Sequence, residues 1–379
     1  MKYGFAVDIG TTNVRIALCS LDERKILVEE SEPNAQIKFG SDVITRVLYA
    51  HNNGVKPLTG AILSQLNDSF YQLLKRSFIS RDDVKLVCIT GNALMLHFAA
   101  GLSVTGFETA PFTTESLFGC TFPAKEVFSP LLSERRQLSI PEDTEIVFPP
   151  CASAFVGADV LCSWYFCTKN DSTLEPVLLA DIGTNCEIIL SCKEGLFCCS
   201  AAAGPAFEGW GVSCRKKGSE LIEALNHYLS EGIISHDGHL CDGQLCDEQL
   251  CGGSIFTQED VRKLQLAKAA VCSGIETLLH EAGILAQNVE KFFICGNFGA
   301  ALSAVSAEKI GLIPKGLASA ASYKGDASLA GAITVLFAEK PDTLLAEMKK
   351  TAETVKLVQL ADNAFFSKCY IERINFPAE

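Results

Sequence analysis

The residues of clearest chemical promise in this 379-residue chain occur twice, as Asp8-Ile9-Gly10-Thr11 and Asp181-Ile182-Gly183-Thr184. Each follows an apolar run, Phe5-Ala6-Val7 or Val177-Leu178-Leu179-Ala180, and precedes another β-prone segment. A strand, a tight turn and a second strand are predicted at both places. Gly10 and Gly183 allow backbone conformations closed to other residues. Successive amides, the hydroxyls of Thr11, Thr12 and Thr184, and Asn185 then make each turn a phosphate cradle. Asp8 and Asp181 end their strands beside that anion, where a carboxylate is repelled unless a divalent cation, here expected to be Mg2+, lies between them. Two such turns gripping one polyphosphate predict metal–nucleotide binding.

A third element supports that reading. The apolar strand Phe292-Phe293-Ile294-Cys295 ends in Gly296-Asn297-Phe298-Gly299, whose glycines let a base or sugar approach the backbone, so Gly296, Asn297 and Gly299 are assigned to adenosine. No Gly-x-x-x-x-Gly-Lys-Ser/Thr loop exists, and no Gly-x-Gly-x-x-Gly opens a helix after a strand, which disfavours the common nucleotide folds.

This order of motifs resembles the actin, sugar-kinase and DnaK-type chaperone superfamily. A narrower resemblance, to the ATPase region of the reductive activators of corrinoid proteins, rests on Asn34-Ala35-Gln36, Phe39-Gly40-Ser41-Asp42-Val43-Ile44, Thr90-Gly91-Asn92, Ala110-Pro111-Phe112 and Phe155-Val156-Gly157-Ala158-Asp159. It rests equally on Ala202-Ala203-Gly204-Pro205-Ala206-Phe207-Glu208-Gly209 and Leu264-Gln265-Leu266-Ala267-Lys268. The resemblance implies an α/β protein of two similar actin-like ATPase (ribonuclease H-like) domains, each a mixed sheet flanked by helices, with a nucleotide cleft between them. It also implies ATP with Mg2+, a corrinoid partner and ATP-dependent reduction of Co(II) to Co(I).

Within that resemblance Gly204 joins the phosphate ligands, Asn92 and Asp159 are further cleft residues, and residues 325–332 resemble a hinge helix. Glu208 either orients the attacking water or caps a helix. Lys268 falls within an apolar helical stripe, so it is either a core lysine or part of the adenosine pocket. The sequence opens at the ATPase strand and contains no Cys-x-x-Cys-x-x-Cys run, so a ferredoxin-like domain is not expected and electrons are assigned to a separate low-potential donor such as a ferredoxin. Dehydratase activators of the same superfamily bridge two subunits with one [4Fe–4S] cluster. Cys151 and Cys198 or Cys199 fall at similar places, which would make a homodimer sharing a cluster; core packing is the other reading of these thiols.

Composition narrows the class. Net charge is −13 and no Lys/Arg run could track a phosphate backbone, which argues against nucleic acid and anionic membranes. No apolar stretch approaches the roughly 20 residues of a spanning helix, and a cytoplasmic location is expected. The 17 cysteines of a large, core-rich chain read as reduced, small hydrophobes suited to an anaerobic cell. His239, Cys241, Cys246 and Cys251 have no common zinc spacing.

Strands are predicted at 3–9, 13–19, 25–30 and 85–90, and again at 177–181, 186–191, 196–201 and 291–295. Two domains follow, 1–150 with the first turn and 151–379 with the second turn and the adenosine motif. Thr257 is predicted to cap a long helix with Val261, Leu264, Val271, Ile275 and Leu278 buried. A small-molecule kinase and a nucleotide-gated interaction protein without redox work are the alternative functions.

Overall fold

The computed structural model describes residues 1–169, 176–209, 211–214, 216–241, 256–296 and 302–378. The chain divides into two compact units, residues 1–169 with 327–354, and residues 170–326 with 355–379. In the first, β1 (Tyr3–Ile9), β2 (Asn13–Ser20) and β3 (Lys25–Pro33) form an antiparallel meander. Helices α1 (Val43–Asn53) and α2 (Lys56–Ser77) lead into β4 (Val84–Gly91), which lies parallel to β1. Then come α3 (Ala93–Ala100), β5 (Cys120–Pro123), the short α4 (Ala124–Val127) and α5 (Ser129–Ser133), β6 (Glu145–Phe148) and α6 (Ala158–Thr168).

The second unit repeats the plan with β7 (Val177–Ile182), β8 (Cys186–Cys192) and β9 (Gly195–Ala201), then α7 (Ser219–Ser230), α8 (Gln258–Glu281), β10 (Lys291–Cys295), α9 (Ala304–Lys309) and β11 (Ala321–Gly325). The chain returns to the first unit as α10 (Ala327–Leu336) and α11 (Pro341–Thr354), and ends in the second as β12 (Lys356–Leu357) and α12 (Ala364–Arg373). The sheet orders are β3-β2-β1-β4-β6-β5 and β11-β10-β7-β8-β9-β12. The segments β3-β2-β1-β4 and β9-β8-β7-β10 correspond strand for strand, with the same parallel and antiparallel pairings. The duplicated α/β fold expected from the sequence is therefore present.

β1 is apolar on both faces because both are covered. Phe5, Val7 and Ile9 pack with Leu58, Ile62, Leu66 and Phe70 of α2, Phe5 stacking on Phe70 at 4.3 Å. Ala6 faces the other way, with Cys88, Cys162 and the α10 residues Leu329, Ala332, Ile333 and Leu336. This second face explains why the unit is discontinuous: it draws in α6 and α10, which a linear boundary at 150 assigns elsewhere. Small residues let the two helices cross closely, since a Cβ on Gly331 would lie 2.2 Å from the Cys162 carbonyl oxygen.

In the second unit α8 starts at a capping box: the Thr257 hydroxyl accepts from the Asp260 amide, and the Asp260 carboxylate accepts from the Thr257 amide at 2.9 Å. The expected stripe Val261, Leu264, Val271, Ile275 and Leu278 is buried against the sheet. Gly274 permits the contact, because a Cβ there would meet Ile188 Cδ1 at 2.7 Å. Among the described residues no helix is long and apolar enough to cross a membrane.

Candidate functional site

The first turn, 10–13, joins β1 to β2. Asp8 sits half-buried near the end of β1, in register with Arg15 of β2 and Thr90 of β4. A Cβ on Gly10 would lie 2.8 Å from the Asn13 carbonyl oxygen, so glycine is required by the closeness of the hairpin. The first three carbonyls of the turn are tied down. The Gly10 oxygen accepts from Asn34 Nδ2 at 2.8 Å, the Thr11 oxygen from Arg46 Nη2 at 2.6 Å, and the Thr12 oxygen from the Asn34 amide at 2.8 Å. Asn92 caps α3 by accepting from the Met95 amide at 2.9 Å, and its Nδ2 donates to Thr11 Oγ1 at 3.3 Å. Arg46 itself is fully buried, and that burial pulls its pKa down to about 10.

β4 ends against the same turn. Gly91 adopts φ +154° with the Ile9 carbonyl oxygen 2.7 Å from where a Cβ would stand, and a Cβ on Gly157 would meet Asn92 Cα at 2.6 Å. Asp159 lies just beyond: its carboxylate accepts from the Val160 amide at 2.8 Å, yet burial pushes its pKa up to about 6. Asp8, Gly10, Thr11, Thr12 and Asn92 thus converge on one end of the first sheet, with Asp159 behind Asn92.

The second turn, 183–185, is one residue shorter; Thr12 is the extra residue of the first. Asp181 is half-buried, in register with Glu187 of β8 and Cys295 of β10. The Gly183 amide donates to the Asn185 oxygen at 2.8 Å, and the Gly204 amide to the Thr184 oxygen at 2.7 Å, so the segment after β9 backs the turn. Gly204 has φ +75°, the left-handed region that favours glycine. Thr184 Oγ1 donates to Glu208 Oε1 at 2.9 Å, and a Cβ on Gly183 would lie 3.5 Å from the same oxygen. Burial raises the Glu208 pKa, while the hydrogen bonds from Thr184 oppose that rise. The partner of this carboxylate is the turn.

Gly296, after β10, has φ +113° and leaves only 2.2 Å between a would-be Cβ and the Ile182 oxygen. Its carbonyl accepts from Tyr323 Oη at 2.7 Å and its amide donates to the Gly325 oxygen at 3.0 Å. Asn297 and Gly299 lie outside the described residues, as do Cys246 and Cys251.

Two expectations meet a different environment. Lys268 is fully buried, and its ammonium donates to the carbonyls of Arg373 at 2.5 Å and Asn375 at 2.7 Å, over the Phe376 ring at 5.2 Å. It holds the C-terminal segment, and among the described residues its contacts are those of a core lysine rather than of an adenosine pocket. Cys151, Cys198 and Cys199 are 1%, 0% and 2% exposed, and burial raises the thiols of Cys151 and Cys199. Interior packing accounts for them, whereas a cluster bridging two protomers needs ligands at a surface.

The donor set fits a Mg–nucleotide. Mg2+ keeps several waters and needs only one or two protein carboxylates beside the phosphates. The first turn has that chemistry in the Thr11 and Thr12 hydroxyls beside Asp8, whereas in the second turn the Thr184 hydroxyl and the Gly183 amide are engaged by Glu208 and by the Asn185 oxygen. Arg46 was missed in the sequence reading. Its signal was present: Val43, Arg46, Val47 and Ala50 have the spacing of a buried helical face.

Comparison with known proteins places these features in context. The chain matches the RACo middle region over residues 3–170 and the C-terminal domain of RACo, the ASKHA domain, over residues 175–217 and 216–379. It is 28% identical over 370 residues, 83% of this chain and 60% of the relative, to the corrinoid activation enzyme RamQ of Eubacterium limosum. It is 24% identical over 437 residues, 99% of this chain and 77% of the relative, to a [Co(II) methylated amine-specific corrinoid protein] reductase of Methanosarcina barkeri. The solved structure of a reductive activator for a corrinoid, iron–sulfur protein superposes with a TM-score of 0.84 at 26% identity, covering 99% of this chain and 66% of that one. The chain therefore spans about two thirds or less of the length of RamQ and of that activator.

Proposed function

The chain belongs to the family of the C-terminal ASKHA domain of RACo, and from that premise we propose that it binds Mg–ATP through its duplicated turns and uses it to promote reduction of a corrinoid protein from Co(II) to Co(I). The observation that carries the nucleotide reading is the pair of Asp-Ile-Gly-Thr turns ending equivalent strands, β1 and β7, of two corresponding sheets. The relatives named for corrinoid activation support the partner.

In this reading Asp8 and Asp181 would hold Mg2+, Gly10, Thr11, Thr12, Gly183, Thr184, Asn185 and Gly204 would hold phosphates, and Gly296 would lie against adenosine. The bound cation would neutralise phosphate charge. Glu208, poised on the Thr184 hydroxyl, accepts a hydrogen bond from the attacking water and orients it. The single electron taken up by cobalt comes from a separate low-potential donor such as a ferredoxin.

The experiment titrates Mg–ATP calorimetrically into the wild type and into Asp8→Ala and Asp181→Ala. It then follows cobalt oxidation state by absorbance in a corrinoid protein mixed with reduced donor. Loss of metal-dependent binding in both variants, and Co(I) formation only with ATP, are expected. Unchanged affinity in both variants, or equal reduction with and without ATP, defeats the proposal.

A further inference from the structure

We propose that Arg46 is a positioning residue that makes the first turn a polyphosphate receptor, by tying down turn carbonyls together with Asn34 and placing a buried positive charge behind them. The ligand rests on the nucleotide reading above; the bracing does not.

A trans peptide plane points its C=O and the following N–H in opposite directions. Asn34 Nδ2 holds the Gly10 oxygen at 2.8 Å, which turns the Thr11 amide the other way. Arg46 Nη2 holds the Thr11 oxygen at 2.6 Å, which does the same for the Thr12 amide. Two consecutive amides are thereby committed to the side of the turn away from the bracing side chains, the arrangement that concave anion sites use. Threonine hydroxyls alone would rotate; tied peptides do not.

The charge is the second part. The acceptors of Arg46 are all neutral: the Thr11 and Gly40 carbonyls, the latter at 2.9 Å, with Gln36 Oε1 and Met95 Sδ. Asp42, which caps α1 by accepting from the Thr45 amide at 2.9 Å, offsets part of that charge without ligating the fork. A fully buried guanidinium is expensive to desolvate, and its field is weakly screened. An anion on the far side of the turn meets that field. The second turn is built with the opposite sign, since the side chain bonded to Thr184 is the carboxyl of Glu208.

The test compares wild type, Arg46→Met and Arg46→Lys. Hydrogen exchange of the Asn34 amide, which donates to the Thr12 oxygen of the first turn in nucleotide-free protein, is expected to accelerate about tenfold or more in Arg46→Met, while exchange of the Gly204 amide on the Thr184 oxygen of the second turn is unchanged. Calorimetry is expected to show about tenfold or greater loss of ATP affinity against less than about twofold for AMP, because the lost field acts on the distal phosphates. Arg46→Lys keeps charge without the fork, so it should recover part of the ATP affinity but not the slow exchange. A residue that merely stabilised the fold would weaken ATP and AMP alike and loosen both turns. Wild-type exchange in the first turn of Arg46→Met, or equal losses for ATP and AMP, overturns the proposal. If the wild type binds no nucleotide, the functional reading fails and exchange alone decides the brace. Should Arg46→Met not fold, Arg46→Lys and Asn34→Asp carry the same two measurements.

Discussion

Replacing Lys268 with Met should create a stability deficit that grows as pH rises, and the size of that growth follows from the lysine's burial. Burial pulls the ammonium from its ordinary 10.5 down to about 8. Between those values the unfolded chain holds the proton and the folded protein does not, so the wild type gains stability as pH rises through 8 and stops gaining at 10.5. At roughly 1.4 kcal/mol per tenfold change in proton affinity, the gain is about 3 kcal/mol. Below pH 8 the charged form is buried at that cost, offset by its hydrogen bonds to the Arg373 and Asn375 carbonyls. The variant escapes the cost but orphans both acceptors, at about 1–3 kcal/mol each. Near pH 7 it should therefore be close to the wild type or destabilised by up to about 3 kcal/mol, and by pH 10.5 worse by about 3 more. Denaturant melts of both proteins from pH 7 to 10.5 read the difference, in which titrations common to both cancel. A difference that stays constant across that range would refute the buried-ammonium account. ATP affinity should not change in Lys268→Met, because its ammonium faces the C-terminal segment.

Three further outcomes are expected. ATP turnover should show an acid limb above the ordinary glutamate range, because burial raises the Glu208 carboxyl; Glu208→Gln should remove that limb and lower kcat by about 100-fold in a pH–rate profile. Gly331→Ala should destabilise the first unit by about 1–3 kcal/mol in thermal melts, since its Cβ would enter the Cys162 carbonyl. Cys151→Ala and Cys199→Ala should each cost about 1–2 kcal/mol of packing and leave the iron content of anaerobically purified protein unchanged, whereas iron lost on either substitution would restore the shared-cluster reading.

Several features were legible because their causes are local. The strands β1, β2, β7, β8 and β10 announce themselves as apolar runs broken by Gly-Thr turns, and Thr257 with Asp260 marks the start of α8 within a few residues. The strands β5 and β6 were not foreseen within the Phe- and Pro-rich stretch 105–150. They are short, and β6 owes its place to pairing with β4 and β5 rather than to any periodicity of its own.

By itself the sequence determined the duplication and the two strand-end carboxylates, because strand propensity, turn chemistry and charge act between near neighbours; the special backbone conformation expected of Gly10 and Gly183 is not adopted, and Gly10 is needed for its closeness to the Asn13 oxygen instead. Tertiary structure alone decided that α10 and α11 belong with residues 1–169, since only the folded sheet exposes a second apolar face needing cover. It also decided which way two buried basic residues turn, of which the sequence singled out only Lys268. Arg46 and Lys268 are both cations within apolar helical stripes, indistinguishable by spacing, yet one braces the Thr11 carbonyl and the other holds the chain's end. A buried cation must find acceptors, and those acceptors are carbonyls far away in sequence that only packing brings within reach.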